Sequence, residues 1–144
     1  MIGKTKWYLG GSLYGITVNN YYVSERSNTV YEGRSINWLG DIGLIYPSDY
    51  GYATSENNCL STIMNTYGTS CAKKNWLHKE INYWTITSGS TYSSYVFRVF
   101  LTGNVNYDAA TDNPSGVRPN IYLKSSIKIS SGDGSERNPY ILAQ

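Results

Sequence analysis

Charge is scarce in this chain. Asp, Glu, Lys and Arg make up 15% of its 144 residues, against about a quarter in an ordinary globular domain. The net charge of +2 comes from scattered Lys and Arg, so there is no basic stripe to follow a phosphate backbone, and nucleic acid is not expected as a partner. No apolar run approaches the ~20 residues of a membrane-spanning helix. Histidine is almost absent. The single one, His78, stands beside Lys79 and Glu80 with no nucleophile pattern around it, so it reads as a surface residue and no catalytic residue is expected. Asp41, Asp49, Asp108, Asp112 and Asp133 lack the spacing of an EF-hand loop, and no metal or cofactor is expected.

What the chain has instead is aromatic and turn residues: 15 Tyr, 4 Trp and 14 Gly. Its length fits one domain, residues 1–144, able to bury about two-thirds of its unfolded surface. Low charge, abundant Tyr, Asn, Ser and Thr, and a single cysteine pair fit an exported protein better than a cytosolic one. The segment Met1–Trp7 lacks the apolar core of a signal peptide, so any export signal is expected outside this sequence, in a longer parent protein.

The pattern along the chain is α+β, with helices first and paired strands later. Lys6–Gly11 reads as a first strand closed by a glycine turn. Residues 17–27 read as an amphipathic helix capped by Thr17, with Val18, Tyr21 and Tyr22 on the inner face and Glu25 and Arg26 outward. Residues 36–53 are punctuated by Gly40, Gly43, Pro47 and Gly51 and read as strand and packed loop. A helix is predicted over 56–67, capped by Ser55, buried through Cys59, Leu60, Ile63, Met64 and Tyr67, and ended by Gly68; Asn75-Trp76-Leu77 would pack under it.

From Ile81 the period becomes two. Phe97, Val99 and Leu101 share one face of a strand, and Val96, Arg98 and Phe100 the other. Thr102-Gly103-Asn104 reads as the turn into Val105-Asn106-Tyr107, and Pro119 as a strand start or edge. Residues 131–142 read as a terminal hairpin or the join to a following segment. Trp84 is expected in the core, whereas Tyr92 and Tyr95, in a Ser-rich loop, are expected on the surface. Arg118 reads as a buried structural partner of backbone carbonyls or of an acid.

Cys59 and Cys71, twelve positions apart, read as a disulfide tying a helix end to the next loop; two reduced core thiols, or a metal or catalytic pair, are the other readings of the same spacing. The loops between the late strands mix Tyr, Asn, Ser and Gly in the manner of an adaptable contact surface. The candidate ligand-binding residues are therefore Tyr92, Tyr95, Asn106, Tyr107, Asp108, Asp112 and Asn113. Asp112-Asn113-Pro114 also reads as a turn.

Four blocks carry a resemblance: residues 38–53, Asn75-Trp76-Leu77, Trp84-Thr85-Ile86-Thr87 and Gly116-Val117-Arg118-Pro119-Asn120-Ile121-Tyr122-Leu123-Lys124. In this order they resemble a family of uncharacterised exported domains of gut Firmicutes, whose members often carry a prepilin-type N-terminal segment. That resemblance implies the exposed head of a pilin-like or surface-anchored protein, with sister subunits as possible partners. The last third, with its Trp-led strand, a hairpin broken at Gly103-Asn104-Val105 and the closing Gly-Val-Arg-Pro strand, is similar to the end of C-type-lectin-like domains, in the branch of formylglycine-generating enzymes and retroelement-diversified receptors. It implies two helices packed on twisted antiparallel strands, with a ligand face near the hairpin. The calcium-dependent sugar motifs of true lectins are missing, and Cys59 and Cys71 do not stand where a copper-binding thiol pair of the enzyme type would. The expected function is thus noncatalytic recognition or adhesion at the cell surface, toward a glycan or protein; a pilin-like structural subunit and a formylglycine-generating-type enzyme are the alternatives.

Overall fold

A computed structural model describes residues 2–111, 114–135 and 137–143. It is a mixed α+β arrangement of short helices and several small sheets, mostly antiparallel. Strand β1 (Thr5–Tyr8) pairs antiparallel with β2 (Asn37–Gly40), and β3 (Ile42–Leu44) with β8 (Pro119–Ile121). The central sheet has the order β6-β5-β4-β7, formed by β4 (Tyr83–Ser88), β5 (Tyr95–Val99), β6 (Val105–Ala109) and β7 (Gly116–Val117), with β7 parallel to β4. A terminal hairpin of β9 (Lys128–Ser131) and β10 (Ile141–Ala143) follows, as its turn chemistry predicts. Pro119 opens β8, where its missing N–H is tolerated.

Helix α1 (Val18–Glu25) forms where the periodicity places it, although Thr17 stands at its N-cap without a side-chain capping bond. Its faces differ from expectation. Val18, Tyr21 and Glu25 are fully buried, and Tyr22 is exposed. The residues 18, 21 and 25 share a stripe at helical spacing, and the Glu25 carboxyl finds its hydrogen-bond partners across the core, so the stripe includes a charge-bearing residue.

The punctuated segment 36–53 contains a helix after all, α2 (Pro47–Tyr52). Pro47 occupies its first turn, where a missing N–H is harmless, and Asp49 accepts a hydrogen bond from the Tyr46 N–H at 3.2 Å. The helix expected over 56–67 is broken into α3 (Asn57–Leu60), a 3-10 turn (Met64–Thr66) and α4 (Gly68–Ala72). The break lies at Ile63, which pairs across to Thr17 while the Met64 N–H donates to the Ile16 carbonyl; these contacts take the backbone groups that a continuous helix would use. Gly68 therefore begins a helix rather than ending one. Ser55 is not the cap either: Glu56 stands at the N-cap of α3, without a side-chain capping bond.

The core lies between α1, α2 and the central sheet, around Tyr21, Tyr50, Met64, Tyr67, Tyr83, Phe97, Val99 and Val105. Alternation in β4 buries Tyr83, Thr85 and Thr87 and leaves Trp84 half-buried on the opposite face, so Tyr83 takes the core position expected of Trp84. Leu101 leaves the strand for the turn and is exposed. Of the Asn75-Trp76-Leu77 block, Asn75 is buried and bonds the Tyr50 carbonyl and Tyr67 hydroxyl, whereas Trp76 is exposed. The Cys59–Cys71 disulfide joins α3 to α4 with Cα atoms 5.6 Å apart.

Candidate functional site

The β5–β6 register divides the predicted site residues. Tyr95 lies opposite Ala109 and Phe97 opposite Tyr107, while Val96 faces Asp108 and Arg98 faces Asn106. Side chains alternate, so Tyr95 and Tyr107 share the sheet face that carries Phe97, whereas Asn106 and Asp108 lie on the other. Asp108 is engaged there: its Oδ2 is 2.6 Å from the guanidinium of the nearly buried Arg98, which also donates to the Ser115 hydroxyl and covers the Phe100 ring at 4.2 Å. Asn106 and Asp108 thus do not join the tyrosines. Asp112 and Asn113 lie outside the described residues.

The three tyrosines do come together, with a fourth that the sequence reading missed. Tyr92 and Tyr95 have ring centroids 5.0 Å apart, Tyr95 and Tyr107 5.1 Å, and Tyr107 and Tyr14 5.6 Å. Phe97 abuts Tyr107 edge-on at 5.6 Å and carries the row into the core. Tyr92 and Tyr14 are exposed at the ends of the row, and Tyr95 and Tyr107 are half-buried between them. Together with Ser12, Leu13, Ser90 and Thr91 they wall a cavity of about 310 Å³. A second cavity of about 420 Å³ adjoins it, with Leu13 and Ser90 as shared walls, between the loop before α1 and the helix itself, and is walled also by Ile16, Val23 and Ser24.

The backbone holds this groove in place. Ser12 bridges to Gly89 in parallel fashion, donating its N–H to the Ser88 carbonyl at 3.1 Å and accepting from the Ser90 N–H at 3.3 Å. Gly89 donates to the Tyr95 carbonyl at 2.9 Å, which closes the loop that carries Tyr92. The Arg34 guanidinium donates to the Ser93 carbonyl and ties that loop to the turn at residues 31–34. None of the residues that wall the two cavities is Asp, Glu, Lys, Arg or His. No family model, curated protein or solved structure matches the chain.

The other residues singled out in the sequence take structural positions. Arg118 is half-buried, donates to the Leu77 carbonyl at 2.6 Å and lies over the Tyr83 ring at 4.9 Å. His78 is half-buried too, its Nδ1 3.3 Å from the Tyr50 hydroxyl. Both cysteines are consumed by their disulfide. Among the described residues no group of three metal-ligating side chains occurs, and no helix is long and apolar enough to cross a membrane.

Tyr14 had one available signal. It lies in Leu13-Tyr14-Gly15, a loop with two large apolar side chains beside a glycine, which is unusual for a solvated turn. Only the fold places that loop beside Tyr107, 93 positions later.

Proposed function

We propose that the protein is a noncatalytic recognition or adhesion domain that works outside the cell, on a C-type-lectin-like scaffold, and engages a glycan or a protein surface through the tyrosine groove. The observation that carries this reading is the continuous row Tyr92–Tyr95–Tyr107–Tyr14 along one wall of an open groove. Tyrosine offers a large, rigid, amphipathic contact with few torsions to immobilise, and the flanking serines and threonines adapt their hydrogen bonds to the partner. The Cys59–Cys71 disulfide supports an oxidising compartment, and it leaves no thiol pair for chemistry of the formylglycine-generating type.

The test is a screen of the full chain on a glycan array and against a displayed peptide library, each hit repeated with Tyr92→Ala. Hits that the substitution weakens support the reading. Hits untouched by Tyr92→Ala and by Tyr14→Ala, or no hit in either format, overturn it.

One observation favours the pilin-like subunit as a second reading. Leu9, Trp38, Ile42, Leu44, Ile86 and Pro119 wall a separate apolar depression of about 320 Å³, and Trp38, Leu39 and Ile42 are about half exposed or more beside it. Such a surface suits packing against a sister subunit. Sedimentation of the wild type and of Trp38→Ser decides it: a monomer in both cases excludes self-association through this face.

A further inference from the structure

The two adjoining cavities offer a narrow choice of chemistry. Their walls are free of formal charge, so an anionic or cationic ligand group entering them would lose hydration without gaining an ionic partner. The main-chain groups along the floor are occupied by one another: the Ser12 N–H by the Ser88 carbonyl, the Ser12 carbonyl by the Ser90 N–H and hydroxyl, and the Gly89 N–H by the Tyr95 carbonyl. A peptide adding itself as a strand finds no free ladder there.

What remains available is ring faces, hydroxyls and one apolar recess. Among the described residues the hydroxyls of Tyr14, Tyr92, Tyr95, Tyr107 and Thr91 have no hydrogen-bond partner within the protein. Beneath this wall the Tyr21 hydroxyl, fully buried and close enough to Tyr14 to interact with it electrostatically, also lacks a partner. The recess beyond Leu13 pairs the apolar Leu13, Ile16 and Val23 with the amide of Asn20, while the Ser27 hydroxyl on its wall is engaged, donating to the Ser24 carbonyl at 2.7 Å and accepting from the Thr29 N–H at 3.1 Å.

We infer that the groove binds a neutral glycan containing N-acetylhexosamine, with a pyranose ring laid on Tyr92 and Tyr95 and the acetamido group placed in the recess beside Leu13. A pyranose presents an apolar C–H face to an aromatic ring and a rim of hydroxyls to polar neighbours, and both cavities fall within the size range of small-molecule sites. An acetamido group has the same dual character as the recess: a methyl for Leu13, Ile16 and Val23, and an amide for Asn20. The inference rests on the recognition reading above and narrows its ligand.

The test titrates the full chain by NMR with three trisaccharides: triacetylchitotriose, cellotriose and trigalacturonate. The expected result is saturable binding of triacetylchitotriose that perturbs Leu13, Val23 and Tyr92, with cellotriose at least about tenfold weaker and trigalacturonate not saturating. Tyr92→Ala and Leu13→Asp, both at exposed positions, should each weaken triacetylchitotriose about tenfold while the circular dichroism spectrum stays that of the wild type. Equal binding of cellotriose overturns the acetamido assignment, and preferred binding of trigalacturonate overturns the neutral one. A library peptide that binds in the groove while all three sugars fail overturns the glycan but leaves the recognition reading standing; failure of both ligand types sinks both.

Discussion

Glu25 grips Ser48 with both carboxyl oxygens: Oε1 accepts the Ser48 backbone N–H at 2.9 Å, and Oε2 accepts the Ser48 hydroxyl. The carboxyl is fully buried and clamps the last turn of α1 to the first turn of α2. Arg26 approaches Oε2 at 3.0 Å from the solvent side, and Asp49 on α2 opposes it as a like charge.

Burial outweighs these hydrogen bonds and the Arg26 charge, and raises the Glu25 pKa from 4.5 to about 7. The native state then holds this proton more tightly than the unfolded chain. The stabilisation is fully present below about pH 4.5 and is lost as pH rises through about 7, which amounts to about 3 kcal/mol. Asp49, also raised by burial, contributes with the same sign. Melting temperature should therefore fall between pH 5 and pH 8, and Glu25→Gln should flatten the profile. An unchanged slope in that variant refutes the assignment to Glu25.

Cys59→Ser/Cys71→Ser should lower stability by roughly 2–3 kcal/mol, because the bond closes a short loop and restricts the unfolded chain. Urea unfolding at fixed pH measures it. A loss below about 0.5 kcal/mol would mean that the reduced chain already holds α3 and α4 together.

Asp108→Ala should cost about 3 kcal/mol, since it strands the guanidinium of Arg98, whose side chain is only 8% exposed. Arg98→Met/Asp108→Leu should recover most of that loss. Ligand affinity should not change in any of these variants, because this pair lies on the sheet face opposite the tyrosines. Weakened binding in a folded Asp108→Ala protein would restore Asp108 to the site.

Gly103→Ala should destabilise by more than about 2 kcal/mol. Gly103 has φ +90° in the β5–β6 turn, where a Cβ is strained and would also overlap the Ala72 side chain. Thermal unfolding reads it directly, and a change within about 0.5 kcal/mol would contradict the close approach of α4 to the turn.

The sites that local chemistry controls were legible in the sequence. The Cys59–Cys71 spacing, the turn at Gly103, the terminal hairpin, the strand start at Pro119 and the span of α1 all depend on neighbours within about a dozen residues. The misread elements depend on distant partners. Glu25 turns inward, against its local pattern, because Ser48 supplies from 23 positions away the N–H and hydroxyl that nothing local to it offers. The helix over 56–67 failed because Thr17 and Ile16 capture its middle.

The sequence by itself determined that this chain has few charges, many tyrosines, a mix of helices and strands and a period of two in its last strands, but not the order of elements, since β1, β2 and β3 come before most of the helices. Which tyrosines make one surface was a tertiary decision. The β5–β6 register sends Tyr95 and Tyr107 to one face and Arg98 and Asp108 to the other, and the Ser12–Gly89 pairing brings Tyr14 alongside. The physical reason is that a strand's side-chain period is two: composition offers the same residues to either face, and only pairing with distant backbone chooses between them.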